Sequence, residues 1–252
     1  MSVRSQAEGG VLVVTIDRPQ QRNALDRAAS QAIADALDQL DADASLIVGV
    51  LTGAGGHFCA GMDLKAFLRG ERVELDGRGL AGLVEKPPRK PLIAAVEGYA
   101  LAGGFEIALA CDLIVAAQNA QFGLPEVRRG LIAGSGGLLR LPQKMPRQIA
   151  MEYALTGRMM SAQDAARWGL VNRLVAPGAA LEGARALAAE IAANGPLAVA
   201  MTKQVIDAAP TWGVDERWPR QKEILERVIG SNDAREGALA FAEKRAPIWS
   251  GS

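Results

Sequence analysis

The chain has 252 residues, with 28 basic and 28 acidic side chains and a formal net charge of zero; apolar residues make up 49%, charged residues 22% and aromatic residues 4%. That is enough apolar material for the core of one large domain, and it excludes a disordered chain. Balanced charge gives no net attraction to phosphate, and so few aromatic rings build no stacking platform, so nucleic acid is not an expected partner.

The first ten residues are polar and lack the apolar run of a secretory signal. A β-branched run over 11–16, closed by Asp17-Arg18-Pro19, predicts a strand ending in a turn. Asp26 is placed to cap a helix over 27–41, whose Ile33, Ala36, Leu37 and Leu40 share one face. Residues 46–52 predict a buried strand, followed by the loop Gly53-Ala54-Gly55-Gly56, and a short helix begins near Asp63. Residues 70–82 mix charges with glycines and predict a mobile surface loop. A strand over 91–97 precedes a helix opened by Gly103-Gly104 and running to about Cys111, and 113–116 returns as a strand. Although 91–117 is the most apolar stretch, Glu97, Glu106 and Asp112 within it are costly in lipid, so it predicts buried elements and no membrane span. Helices follow around Leu138 and over 147–156, Ser161 with Asp164 caps another ending at Gly169, and 171–175 is the last strand. Residues 179–231 read as helical, broken at Pro196, Pro210 and Pro219. Strands alternating with helices predict an α/β core carrying a helical tail.

The scarce residues exclude several chemistries. One histidine, His57, and two cysteines, Cys59 and Cys111, are too few for most zinc sites or for a disulfide framework. No metal is expected, and a reducing compartment, the cytoplasm, is. The segment from Gly53 fails as a dinucleotide fingerprint because Phe58 stands where its last glycine belongs. Ala133-Gly134-Ser135-Gly136-Gly137 is a near miss of the nucleophile elbow, and its only candidate base, His57, sits in a glycine loop.

What survives is a pair of carboxylates in apolar, glycine-rich surroundings. Glu106 lies within Ala102-Gly103-Gly104-Phe105-Glu106-Ile107, and Glu126 follows the turn Gly123-Leu124-Pro125. A buried, unpartnered carboxylate is expensive and holds its proton. If the two acids face each other they share a proton near neutrality, one acting as acid and the other as base. If instead each meets an arginine such as Arg128 or Arg140, they are structural ion pairs. Gly103 at a helix start and Met62 after Gly61 each offer a backbone N–H; converging, they would make an oxyanion hole, and if not they are two ordinary helix starts.

Phe58-Cys59-Ala60-Gly61-Met62-Asp63-Leu64-Lys65, the run from Gly98 to Glu106, and Gln121-Phe122-Gly123-Leu124-Pro125-Glu126 together resemble the signatures of the enoyl-CoA hydratase/isomerase (crotonase) family. The resemblance extends through Asn23-Ala24-Leu25, Leu155-Thr156-Gly157-Arg158, Gly169-Leu170-Val171 and Ala240-Phe241-Ala242-Glu243-Lys244-Arg245, nearly the whole chain. It implies an α/β, crotonase-like (ClpP/crotonase) spiral of ββα units: a core over 1–195 holding the acyl-CoA site, and a helical segment over 196–252 that assembles a homotrimer or a dimer of trimers. It also implies that the amides of Met62 and Gly103 hold a thioester oxygen and that Glu106 and Glu126 are catalytic. Ala24, Ala60, Asp63, Leu64 and Lys65 would line the channel for coenzyme A, which is part of the substrate, so that no separate cofactor is needed.

The reaction so implied is reversible syn addition of water to a trans-2-enoyl-CoA. An enoyl-CoA isomerase would need only one of the two acids. Phe105, Leu139-Arg140-Leu141-Pro142 and Trp168 resemble a branch that dehydrates carnitinyl-CoA. A non-catalytic acyl-CoA-binding protein is disfavoured by the presence of both acids. Ala102 and Ala133 depart from the family pattern, where a third glycine and a proline are common, and they bear on the acyl pocket more than on the reaction.

Overall fold

Valine- and isoleucine-rich runs recur along the chain, and each must pair its backbone with a neighbour to be buried. The computed structural model describes residues 2–252; Met1, which opens the expected core segment, lies outside them. In chain order, β1 (Val3–Glu8) and β2 (Val11–Ile16) form a hairpin, and α1 (Arg27–Ala42) leads to β3 (Val48–Gly53). Next come α2 (Leu64–Leu68), β4 (Glu74–Leu75), β5 (Gly79–Leu80), β6 (Leu92–Val96), β7 (Tyr99–Leu101) and α3 (Gly103–Ala110). β8 (Leu113–Ala117), β9 (Gln121–Gly123), α4 (Gly137–Lys144), α5 (Arg147–Thr156), β10 (Met160–Ser161), α6 (Ala162–Arg167) and β11 (Arg173–Val175) follow. The chain ends in α7 (Ala180–Ala192), α8 (Pro196–Ala208), α9 (Arg217–Ile229) and α10 (Asn232–Glu243).

The main sheet has the order β1-β2-β3-β6-β8-β11, antiparallel at β1–β2 and parallel from β2 onward. A small sheet has the order β10-β9-β7. β6-β7-α3 and β8-β9-α4 are successive ββα turns, each placing its first strand in the large sheet and its second in the small one. β3 and α2 make an earlier turn of the same kind, with the bridge from Cys59 to Ala100 in place of a full second strand. This is the expected spiral. Alanines of α7, Ala180, Ala184 and Ala188, pack on one face of the main sheet against Val13, Val50, Ile93 and Val115. The opposite face meets Ile33, Leu37 and Leu40 of α1 and Phe105 and Ile107 of α3.

Two expectations, for residues 70–82 and for Pro219, are corrected. Residues 70–82 are not a surface loop: β4 and β5 pair, and Val73, Leu75, Leu80 and Ala81 are buried in the core. The polar start contains β1, whose Val3 is buried while the rest of this edge strand faces solvent. Pro219 does not break a helix but sits in the first turn of α9, where its missing N–H has no intrahelical partner to lose.

Beyond α7 burial is sparse: no residue of α8 or α9 is fully buried, and Ile206, Trp218, Ile229 and Phe241 are exposed. Among the described residues no helix is long and apolar enough to cross a membrane.

Candidate active site

α3 starts at a contact that admits almost no side chains. A Cβ on Gly104 would run into the carbonyl of Cys59, and a Cβ on Gly61 would lie 3.1 Å from the Gly103 nitrogen. Gly61 has φ +96°, a left-handed conformation natural only to glycine. Ala102, before the helix, has φ +50° and ψ −130°, which costs a residue with a Cβ on the order of 1–3 kcal/mol. The Ala102 amide donates to the Gly123 carbonyl at 2.8 Å, tying this bend to β9. The backbone N–H groups of Met62 and Gly103 make no hydrogen bond among the described residues, and both residues line one cavity of about 1160 Å³. Two unengaged amides from two adjoining loops are what an oxyanion needs.

Buried polar side chains hold the Met62 loop. The Leu25 amide donates to the Gly61 carbonyl and the Asp63 amide to the Leu25 carbonyl, each at 2.8 Å. Arg18 pairs with Asp26 and with Asp63, both at 2.9 Å, and donates to the Ala24 carbonyl. Asp63 also caps α2, accepting from the amides of Lys65 and Ala66 at 2.9 and 3.3 Å. Burial pushes the Asp63 carboxyl up, but the Arg18 guanidinium and these amides outweigh it and leave it below the usual range. Asn23, fully buried, donates to the carbonyls of Ala54 and His57 at 2.8 and 2.6 Å and accepts from the Arg18 amide at 2.9 Å.

Glu106, in the first turn of α3, is 2% exposed. Its Oε1 accepts from the amides of Ser135 and Gly137, at 2.7 and 2.9 Å. Glycine is required at 137 because a Cβ there would lie 2.9 Å from Glu106 Cγ. Glu126 stands in a single 3₁₀ turn, Pro125–Arg129, and its Oε2 is buried with no hydrogen-bond partner among the described residues. The same cavity is lined by both acids. Burial raises the pKa of Glu106, opposed by the two amides and by Arg140. Burial also raises that of Glu126, opposed by its own backbone amide and reinforced by Glu106.

The ion-pair alternative therefore falls. Arg128 Nε donates to the Thr156 carbonyl at 3.2 Å and Arg140 to the Val84 carbonyl, and neither forms an ion pair with Glu106 or Glu126 among the described residues.

Of the other expected site residues, Ala60 and Leu64 line the cavity; Ala24, Asp63 and Lys65 are not part of its wall. His57 stacks on Tyr99 with ring centroids 4.9 Å apart, and its Nδ1 accepts from the Tyr99 amide at 3.4 Å, a structural role. Cys59 and Cys111 are buried, their thiols pushed up to about 12 by desolvation. The amides of Ser135 and Gly137 were not foreseen as anchors for Glu106. The crowding of glycines at 134, 136 and 137 was their only trace in the sequence.

A sequence model of the enoyl-CoA hydratase/isomerase family matches residues 6–252. Carnitinyl-CoA dehydratase of Proteus mirabilis (strain HI4320) is 44% identical over 99% of this chain and 98% of its own length. That of Salmonella typhi is 45% identical with the same coverage. Among solved structures, enoyl-CoA hydratase EchA1 from Mycobacterium marinum is similar with TM-score 0.98 and 60% identity, over 100% of this chain and 99% of that one. Carnitinyl-CoA hydratase from Mycobacterium avium is similar with TM-score 0.80 and 46% identity, over 100% and 99%.

Proposed function

This chain belongs to the enoyl-CoA hydratase/isomerase family, and on that premise we propose that it adds water reversibly, in the syn sense, to a trans-2-enoyl-CoA. The observation that carries this reading is the meeting, in one cavity, of two acids whose pKa values burial raises and two unengaged amides. The Met62 and Gly103 amides bind the thioester oxygen and make the β-carbon electrophilic. Glu106 takes a proton from a water as its oxygen bonds to the β-carbon, and protonated Glu126 delivers a proton to the α-carbon. The charge that develops on the thioester oxygen meets donors already in place, worth about 3–4 kcal/mol each. Water's oxygen bonds to the β-carbon and protons move with no net change of oxidation state, so the scheme calls for no redox cofactor, and the amides take the place a metal could have at the thioester oxygen; coenzyme A enters as part of the substrate.

In this reading Ala60 and Leu64 border the coenzyme A channel directly, and Asp63 acts by fixing the turn that carries Leu64. The cavity wall carries the aliphatic side chains of Leu80, Val84, Leu131, Ile132, Leu139 and Met159 beside charged ones such as Glu74 and Glu85, and no aromatic ring lines it among the described residues. A quaternary ammonium is most often held by aromatic faces. That favours an uncharged aliphatic enoyl group over a carnitinyl group, and the second acid favours hydration over double-bond isomerisation. Crotonyl-CoA and longer 2-enoyl-CoAs should give hydroxyacyl-CoA, with carnitinyl-CoA a poor substrate. Conversion of a 3-enoyl-CoA to 2-enoyl-CoA with no hydroxyacyl product would establish the isomerase instead. Tight acyl-CoA binding without turnover would establish a binding protein.

We further read α8–α10 as the assembly surface of a homotrimer or dimer of trimers, because their apolar side chains Ile206, Trp218, Ile229 and Phe241 are exposed in the single chain. Sedimentation equilibrium should return three or six chains; a monomer at micromolar concentration would overturn this. A cytoplasmic location fits two free buried thiols, and fractionation of the native host tests it.

A further inference from the structure

Arg140 lies on α4, three residues past the Gly137 amide that grips Glu106, and lines the cavity with that acid. Its guanidinium is half-buried. Nη2 donates to the carbonyl of Val84, in the segment after β5, and a Cβ built on Gly136 would run into Nη1. The group is thus wedged between the β4–β5 side of the cavity and the 135–137 loop. It has no carboxylate at ion-pair distance among the described residues, and the hydrogen bond that its side chain makes there goes to the Val84 carbonyl. Burial pushes the guanidinium down and Glu106 and Cys111 push it up, so Glu106 is the acid it senses most strongly.

We propose that Arg140 is a positioning residue that ties the Val84 wall of the acyl cavity to the loop gripping Glu106 and governs the charge on that carboxyl. The inference rests on Glu106 being a reacting acid, and it assigns a task to a cation that the water-addition scheme leaves idle. Without the guanidinium, Glu106 would keep its two amides but lose the one positive group acting on it. The groups around it would then be Glu126 across the cavity, which answers to Arg129, with Glu74, Glu85 and Arg128 elsewhere on the wall. The sign follows: losing a nearby cation disfavours the carboxylate, so Glu106 would hold its proton to higher pH.

The test follows Glu106 itself. In protein carrying 13C at the glutamate carboxyl carbons, the Glu106 resonance is identified by its absence in Glu106→Gln and titrated in wild type, Arg140→Gln and Arg140→Lys. Arg140→Gln keeps a donor for Val84 but no charge; it should raise the Glu106 titration by roughly one pH unit and carry the acid limb of kcat/KM with it. Arg140→Lys should restore most of the titration while kcat stays down by about tenfold, since one ammonium cannot hold both sides of the wedge. An unmoved Glu106 titration in Arg140→Gln, with only a lower melting temperature, makes Arg140 structural and overturns the proposal. Should Arg140→Gln not fold, Arg140→Lys decides alone: a Glu106 titration raised by about a full pH unit or more although the positive charge is kept overturns it. If wild type hydrates no enoyl-CoA yet the titration moves as stated, the charge effect stands and the hydratase reading fails.

Discussion

Glu106→Gln is expected to lower the rate of enoyl-CoA hydration by about 10²–10⁴-fold, with thioester binding and thermal stability close to wild type. The asymmetry follows from the hydrogen bonds. The amides of Ser135 and Gly137 need an acceptor, and the side-chain carbonyl of glutamine provides one where Oε1 now sits. The glutamine NH₂ is then turned to the cavity, the same size as the carboxylate oxygen but unable to take a proton from water. Removal of a buried carboxyl whose pKa is already raised should relieve desolvation cost, so stability should hold or rise slightly. Steady-state kinetics on crotonyl-CoA with calorimetric binding of a non-reactive thioester separates the two effects. Turnover comparable to wild type would remove Glu106 from the mechanism.

Asn23→Ala should cost about 3–5 kcal/mol of folding stability, because three hydrogen bonds vanish at a fully buried position. The carbonyls of Ala54 and His57 and the amide of Arg18 would lose their partner together. Asn23 also has φ +57°, which asparagine tolerates better than alanine. The damage should spread to the site, since the same side chain ties the glycine loop at 53–57 to the segment that carries Arg18. Urea denaturation reads the loss as a lower midpoint at unchanged slope. A loss below about 1 kcal/mol would mean that the loop is held by something else.

Much of this arrangement was legible in the chain before it was folded. Asp26 and Ser161 cap α1 and α6 as their side chains predict, because capping is a local bond between neighbours in sequence. The glycines at 61 and 103 marked two turns with N–H groups to offer, though not that a Cβ at 104 would strike the facing backbone, and the acids at 106 and 126 stood out by their apolar company. The β4–β5 hairpin was hidden because its strands are two residues each, too short for an alternation to emerge among the charges and glycines around Val73, Leu75 and Leu80. Whether Glu106 would meet an arginine or an opposing acid depended on long-range placement, which residue types alone do not fix. Arg18 read as part of a turn and Asn23 only as part of a family-like run, since burial of a polar side chain is decided by segments that arrive later in the chain. The grip on Glu106 comes from peptide groups, identical at every position and therefore silent in a list of side chains.

That grip has a stereochemical corollary. Both amides fasten Oε1 of Glu106, which leaves Oε2 as the oxygen without a backbone amide on this cavity wall. A carboxyl held at one oxygen keeps a fixed orientation toward whatever occupies the cavity. On the proposed scheme, handedness at the new carbinol centre would follow from the alkene face turned toward Glu106, set jointly by the amides at 135 and 137 that orient the carboxyl and those at 62 and 103 that would orient the thioester.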